Sequence, residues 1–198
     1  MSATGRSDVR LPNDTYNTPQ ELCDAIVNKL KADQFLSTLD SETGIILEPS
    51  AGSGNFISSL KKFAPEWTVH ALDIEVGHCL KEVCSYDIPY MERDFLEFGG
   101  CKYNGIIGNP PYSLAEAHIR HGLGLLRPGG FLAFLLRLNF LESKKRIQFW
   151  SEFPATKIYP LAERPSFVSG GTDACAYGVF VWTRGYKGQT ELEVMSWK

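Results

Sequence analysis

Apolar residues in this 198-residue chain come in short blocks whose spacing alternates between strand-like and helical. Residues 19–30 read as a helix, with Thr18 as its cap, Pro19 at the first helical position and Glu21 in the first turn. Residues 44–47 form a short apolar strand, followed by a glycine-bearing loop and a helix from about residue 55 to 63. A second strand is expected over 67–74, a helix over 75–84, a weaker strand over 89–93 and a further strand over 103–107. The period then turns helical over 114–126, and Arg127-Pro128-Gly129-Gly130 turns the chain into the strongly apolar stretch 131–138. A polar helix over 142–153 and a strand region near 155 come next. Two last strand-like runs, 176–183 and 191–197, lie either side of a glycine-bounded turn and predict an antiparallel hairpin closing the sheet edge. Strands alternating with helices through Leu138 predict an α/β architecture: a doubly wound, mostly parallel sheet with ligands at the C-terminal ends of its strands.

Composition narrows the picture. Hydrophobic residues make up 43% of the chain and charged residues 22%, as expected for a globular protein. No apolar run approaches 18 residues, and the opening MSATGRSDVRLPNDT has no apolar signal core. We therefore expect a mobile arm over 1–14, a single domain over 15–198, a cytoplasmic location and no membrane partner. The five cysteines contain no CxxC pair, which argues against both a disulfide framework and a zinc ribbon. His78, Cys79 and Cys84, and likewise His118 and His121, give incomplete ligand spacing, so no metal is expected. The net charge is −3, but from Arg137 onward nine basic side chains face six acidic ones. A polyanion can approach there, around Arg137, Lys144, Lys145, Arg146, Lys157 and Arg164.

The loop after the first strand reads Glu48-Pro49-Ser50-Ala51-Gly52-Ser53-Gly54-Asn55-Phe56. Gly52 and Gly54 allow close backbone approach to a ligand just before a helix begins. Ile57 stands where a dinucleotide fingerprint needs a third small residue, and no Gly-Lys-Ser/Thr follows, which excludes a P-loop. Glu48 repels a pyrophosphate and suits a cationic ligand. Asp73, about 20 residues on at the end of the second strand, is placed to accept ribose hydroxyls. Ribose joined to a positively charged, phosphate-free remainder describes S-adenosylmethionine. In Arg93-Asp94-Phe95, Asp94 can accept the adenine amino group and Phe95 can pack on the ring.

With Tyr16-Asn17-Thr18-Pro19, EPSAGSGNF, ALDIE, RDF, Asn109-Pro110-Pro111-Tyr112 and Arg164-Pro165-Ser166-Phe167 in that order, the chain resembles class I S-adenosylmethionine-dependent methyltransferases, specifically N6-adenine DNA methyltransferases. The resemblance spans residues 16 to 183. It implies a Rossmann-like seven-stranded sheet whose last strand pair is antiparallel. It also implies a cofactor site drawn from Tyr16, Thr18, Glu48, Ser50, Gly52, Gly54, Phe56, Asp73, Asp94, Phe95 and Asn109, with Thr18 helping to hold the methionine carboxylate. Phe167 resembles the family's second base-packing aromatic.

The run Ile106-Ile107-Gly108-Asn109-Pro110-Pro111-Tyr112 then takes on a chemical meaning. The Asn109 amide oxygen and the Pro110 carbonyl can accept N–H bonds from a conjugated amine, so that its lone pair is aimed at an electrophilic methyl. Pro110 and Pro111 fix φ and preorganise both acceptors. Tyr112 can stack on the planar group. An adenine in duplex DNA would be flipped out into such a site, with Arg164 meeting a phosphate. The same four residues resemble those of ribosomal-RNA N-methyltransferases and protein-glutamine N5-methyltransferases, and a non-catalytic methyltransferase-like subunit is the alternative from another class. DNA is favoured over RNA through the Tyr-x-Thr-Pro segment. Little chain follows residue 155, so a large target-recognition domain is not expected. Sequence specificity would be relaxed, come from a partner subunit or rest on Arg and Lys within 137–173, and the oligomeric state is not legible.

Overall fold

The computed structural model describes residues 17–37, 44–75, 88–167 and 175–198. Tyr16, the arm over 1–14, most of the helix expected over 75–84 and the Ser169–Asp173 stretch lie outside them, as do His78, Cys79 and Cys84.

Eight strands form one sheet. They are β1 (Ile45–Glu48), β2 (Thr68–Asp73), β3 (Tyr90–Glu92), β4 (Tyr103–Gly108), β5 (Leu126–Arg137), β6 (Lys157–Pro160), β7 (Tyr177–Thr183) and β8 (Glu191–Leu192). Their order across the sheet is β3-β2-β1-β4-β5-β7-β6-β8. β3 through β5 are mutually parallel, and β7 runs antiparallel to both of its neighbours, β5 and β6.

Helices cover both faces. α1 (Gln20–Ala32) and α2 (Asn55–Phe63) bury Leu22, Ile26, Leu30, Ile57 and Leu60 against Ile46, Val69, Ala133, Leu135 and Val179. On the other face, α3 (Ala115–Leu125) and the short α4 (Ile147–Glu152) bury Ile119, Leu123 and Phe149 against Leu47, Leu132, Phe134, Phe180 and Trp182. β5 therefore alternates between two cores, which is why it reads in sequence as an unbroken apolar run. Its start is irregular: Tyr103 pairs with Leu126, Gly105 pairs with Phe131, and the Arg127–Gly130 turn is the extra chain between them.

Four expectations change. The sheet has eight strands where the resemblance implies seven, and 191–197 does not form a hairpin with β7. Both edges of β7 are already paired, so the returning chain crosses to the outer edge of β6 and pairs parallel, Lys157 with Glu191 and Ile158 with Leu192. Charged groups hold it there: Glu193 accepts from Lys29 at 2.6 Å and from Lys157 at 2.7 Å. The helix expected over 142–153 shortens to α4, preceded by a 3-10 turn at Lys144–Arg146. Thr18 does not cap α1: Pro19 occupies the cap position, with no side-chain cap hydrogen bond.

Candidate cofactor and amine-methylation site

Parallel strands deliver their following loops to one edge of the sheet. At that edge the β1 loop, the end of β2, the turn after β3 and Asn109-Pro110-Pro111-Tyr112 after β4 come together. Asp73 ties two of them: its carboxylate accepts from Gly52 N at 2.7 Å and from Glu75 N at 3.1 Å, and Ala51 N donates to Leu72 O. Gly52 (φ 48°) and Gly54 (φ 81°) both take the left-handed backbone that the tight entry into α2 requires.

Thr18, freed from capping, reaches the turn after β4. Asn109 Nδ2 donates to Thr18 Oγ1 at 3.1 Å, across 91 residues of chain, and Asn55 Nδ2 donates to the Thr18 carbonyl at 2.7 Å. Asn17, Thr18, Ser50, Gly52, Phe56 and Asn109 accordingly line one cleft. Ala51, Ser53 and Asn55 also line it, and with Asn17 they were missed by sequence reasoning, since a small or polar residue beside a cap or loop carries no distinguishing signal.

Glu48 is buried beneath this cleft, 1% exposed. Its Oε1 accepts from Ser50 N at 3.2 Å, while Oε2 has no hydrogen-bond partner among the described residues. Burial, reinforced by the nearby Asp73, pushes its carboxyl well above the usual range. The carboxylate lies directly over Gly108, where an added Cβ would stand 2.2 Å from Oε1. A glycine there lets the carboxylate and the turn after β4 share the end of the sheet.

Asp94 and Phe95 stand in the turn after β3. Asp94 Oδ1 accepts from Leu96 N at 2.8 Å, capping a 3-10 turn. Phe95 is 2% exposed, its ring packed 5.2 Å from His118 and 4.9 Å from His121. It serves the α3 core, and its ring is not presented to the cleft. His118 and His121 sit beside the carbonyls of Leu114 and Phe98.

On the other side of Asn109, Tyr112 joins an aromatic group. Its ring lies 5.8 Å from Tyr177, and Tyr177 lies 5.0 Å from Phe167. The Arg137 guanidinium stands 4.9 Å above the Tyr112 ring, and its Nε donates to Tyr177 Oη at 3.3 Å. Tyr177 was missed as a site residue. Because β7 is antiparallel to β5, its first residue lies at the edge where the parallel strands end, and the antiparallel last strand pair that the resemblance implies was the signal for it. Arg164 is exposed on the loop after β6. A wider cavity of about 290 Å³ opens at the opposite edge, beside Arg120, Trp182 and Arg184, remote from these loops.

The strand order and the loop positions define the class I S-adenosylmethionine-dependent methyltransferase fold. A Listeria monocytogenes protein described as a member of that class superposes with a TM-score of 0.71 at 15% identity, covering 96% of this chain and 68% of its own. The type IIG restriction endonuclease BpuSI gives 0.67 at 16% identity, over 97% of this chain and 27% of that one. The M protein of the type I restriction enzyme EcoKI gives 0.66 at 14%, over 92% and 48%. In sequence, the modification methylase CviBIII of Paramecium bursaria Chlorella virus NC1A is 34% identical over 70 residues, a stretch spanning 34% of this chain and 19% of that protein. No protein-family model matches the chain. The cofactor that goes with this fold is S-adenosylmethionine, and the residues fit it: a buried carboxylate oxygen lacking a partner among the described residues, Glu48 Oε2, suits a ligand that carries positive charge. Among the described residues no helix is long and apolar enough to cross a membrane, and no group of His, Cys, Asp and Glu could hold a metal ion.

Proposed function

We propose that the chain is an S-adenosylmethionine-dependent N-methyltransferase acting on the N6 amine of adenine in DNA, by direct transfer to a flipped-out base. The observation that carries the reading is the Asn109 amide: its nitrogen donates to Thr18, and the turn it opens carries Tyr112, whose ring packs with Tyr177 and, through Tyr177, with Phe167. Bound S-adenosylmethionine supplies an electrophilic methyl on a sulfonium. The protein's own part is positioning. The Thr18 hydroxyl holds the amide nitrogen, so the amide oxygen serves as acceptor for an amine N–H, with the Pro110 carbonyl as the second acceptor. Hydrogen bonds to both N–H groups draw the nitrogen lone pair out of conjugation with the ring. Tyr112 covers the planar face of the base, worth about 1–3 kcal/mol. The sequence relative is a modification methylase, and two of the fold neighbours are a restriction endonuclease and a restriction-enzyme M protein, which supports DNA as the acceptor. The role of the EcoKI M protein within a larger enzyme also supports a specificity partner for this chain.

The test is incubation with methyl-labelled S-adenosylmethionine and unmethylated DNA, RNA or protein extract, followed by mass spectrometry of nucleosides and amino acids. N6-methyl-2′-deoxyadenosine from DNA is the expected product. Label confined to RNA or to protein glutamine overturns the DNA assignment, and no label in any acceptor overturns the activity.

A further inference from the structure

The basic C-terminal third offers six cations to a polyanion, and the fold sorts them. Arg137 stands over Tyr112 and donates to Tyr177. Arg146 donates to the Phe140 and Glu142 carbonyls and lies 4.5 Å above the Phe140 ring. Lys157 begins β6, at the edge opposite the catalytic turn, and pairs with Asp33 at 2.7 Å and Glu193 at 2.7 Å. Lys144, Lys145 and Arg164 are left, all exposed and, among the described residues, with no acid, carbonyl or aromatic ring engaging their charged ends.

These three share a location. Lys144 and Lys145 form a turn between the C-terminal end of β5 and α4, and Arg164 follows the C-terminal end of β6. β7 lies between those two strands, and its first residue is Tyr177, at the centre of the aromatic group. The turn is held in shape independently of the lysines: Ser143 Oγ accepts from Lys145 N at 3.1 Å, and Arg146 clamps the turn to Phe140. One free acid, Glu142, accompanies them, so the turn from Glu142 to Arg146 carries a net charge of +2 (three basic, one acidic).

At the opposite edge the cations are engaged. Lys102 donates to Gly124 O, Lys187 to Glu152 O and Arg184 to Leu126 O, and Arg120 pairs with Glu116 and Glu152. Two further described cations, Lys61 on α2 and Arg93 after β3, also lack a partner, but neither lies beside the aromatic group. Unpartnered cations flanking aromatic rings match the backbone phosphates and bases of a nucleic acid.

We propose that Lys144, Lys145 and Arg164 form the phosphate-contacting face that seats duplex DNA over the Tyr112, Tyr177 and Phe167 rings, an inference that rests on the DNA-methylating reading above. The protein then carries its own backbone anchors on the loops after β5 and β6. Contacts of this kind act by counterion release, each adding about 0.9 to the slope of log affinity against log salt.

The experiment is fluorescence anisotropy of a labelled, unmethylated duplex oligonucleotide, titrated with full-length protein between about 50 and 300 mM salt. Three contacts give a slope of about −2.7 for the wild-type chain. In Lys144→Gln/Lys145→Gln it falls to about −0.9, and affinity at about 0.15 M salt drops about 30-fold. Lys61→Gln leaves both unchanged. A double variant that keeps the wild-type slope and affinity overturns the surface, as does a wild-type chain with no measurable duplex binding. Cofactor titration and product analysis on the same preparations separate the two ideas. Methylated DNA with an unmoved slope sinks the surface alone, whereas duplex binding through these cations without methylation sinks the activity and leaves the surface standing. Tighter binding of a matched RNA through the same residues overturns duplex DNA as the occupant.

Discussion

Replacing Glu48 by Gln removes one proton-binding group and leaves the shape of the site unchanged. In the ligand-free protein this carboxyl is 1% exposed, receives one backbone hydrogen bond and is held well above its usual range by burial and by the charge of Asp73. Because the folded-state value is raised, its contribution to stability is present at pH below the unfolded value, about 4.3, and is lost as pH rises through the folded value. A cationic cofactor reverses the preference by favouring the ionised form, so binding releases the proton. The association constant then climbs by about one log unit per pH unit wherever the free protein holds that proton. Below about pH 7 the cofactor's α-amino group stays charged, so the climb over that range belongs to Glu48. Glu48→Gln has no proton to release and flattens the dependence. At about pH 7 it also weakens binding by roughly 10- to 150-fold, the worth of a hydrogen bond to a charged group at about 1.5–3 kcal/mol. Isothermal titration in buffers of different ionisation enthalpy reads both affinity and proton release. A wild-type affinity that is flat with pH, or an equal slope in the variant, refutes the reasoning.

Asn109→Ala is expected to keep cofactor affinity within a few-fold, while single-turnover methylation falls by about 100-fold or more. Equal loss of both would make Asn109 a structural residue. Gly108→Ala drives a Cβ to within 2.2 Å of Glu48 Oε1, so we expect a loss of about 1–3 kcal/mol in thermal or denaturant unfolding, together with weaker cofactor binding. A variant of unchanged stability would mean that the Glu48 carboxylate moves freely. At the far edge, burial works against ionisation of Asp33, but hydrogen bonds from Lys157, Tyr159 and Lys29 outweigh it and pull the carboxyl down to about 2. Its contribution is present above about pH 4 and lost as pH falls toward about 2. Asp33→Asn should therefore lower the melting temperature at neutral pH and flatten its fall between about pH 4 and 2, and an unchanged acid limb would show that Asp33 does not anchor this edge.

Much of this protein was decided by local rules that act on neighbouring residues. Blocks of apolar residues closed by turns specify β1, β2 and β4, and two glycines specify the entry to α2. The ends of those strands hold Glu48, Asp73 and Asn109 at one edge, because parallel strands joined by helices all deliver their loops to the same side. What the tertiary structure alone decided depends on which groups were already engaged. Thr18 looked like a helix cap until Asn109, 91 residues away, donated to its hydroxyl. Phe95 looked like a stacking platform, yet its apolar ring is better served among His118, His121 and the α3 core. The last strand could not pair with β7 because β5 and β6 already occupied its edges. Six cations of the C-terminal third are equivalent in sequence, and only packing separates the three tied to rings, carbonyls and acids from the three left to face a partner. Hydrogen bonds and ion pairs between distant residues form only after the chain has folded, so no local pattern records them.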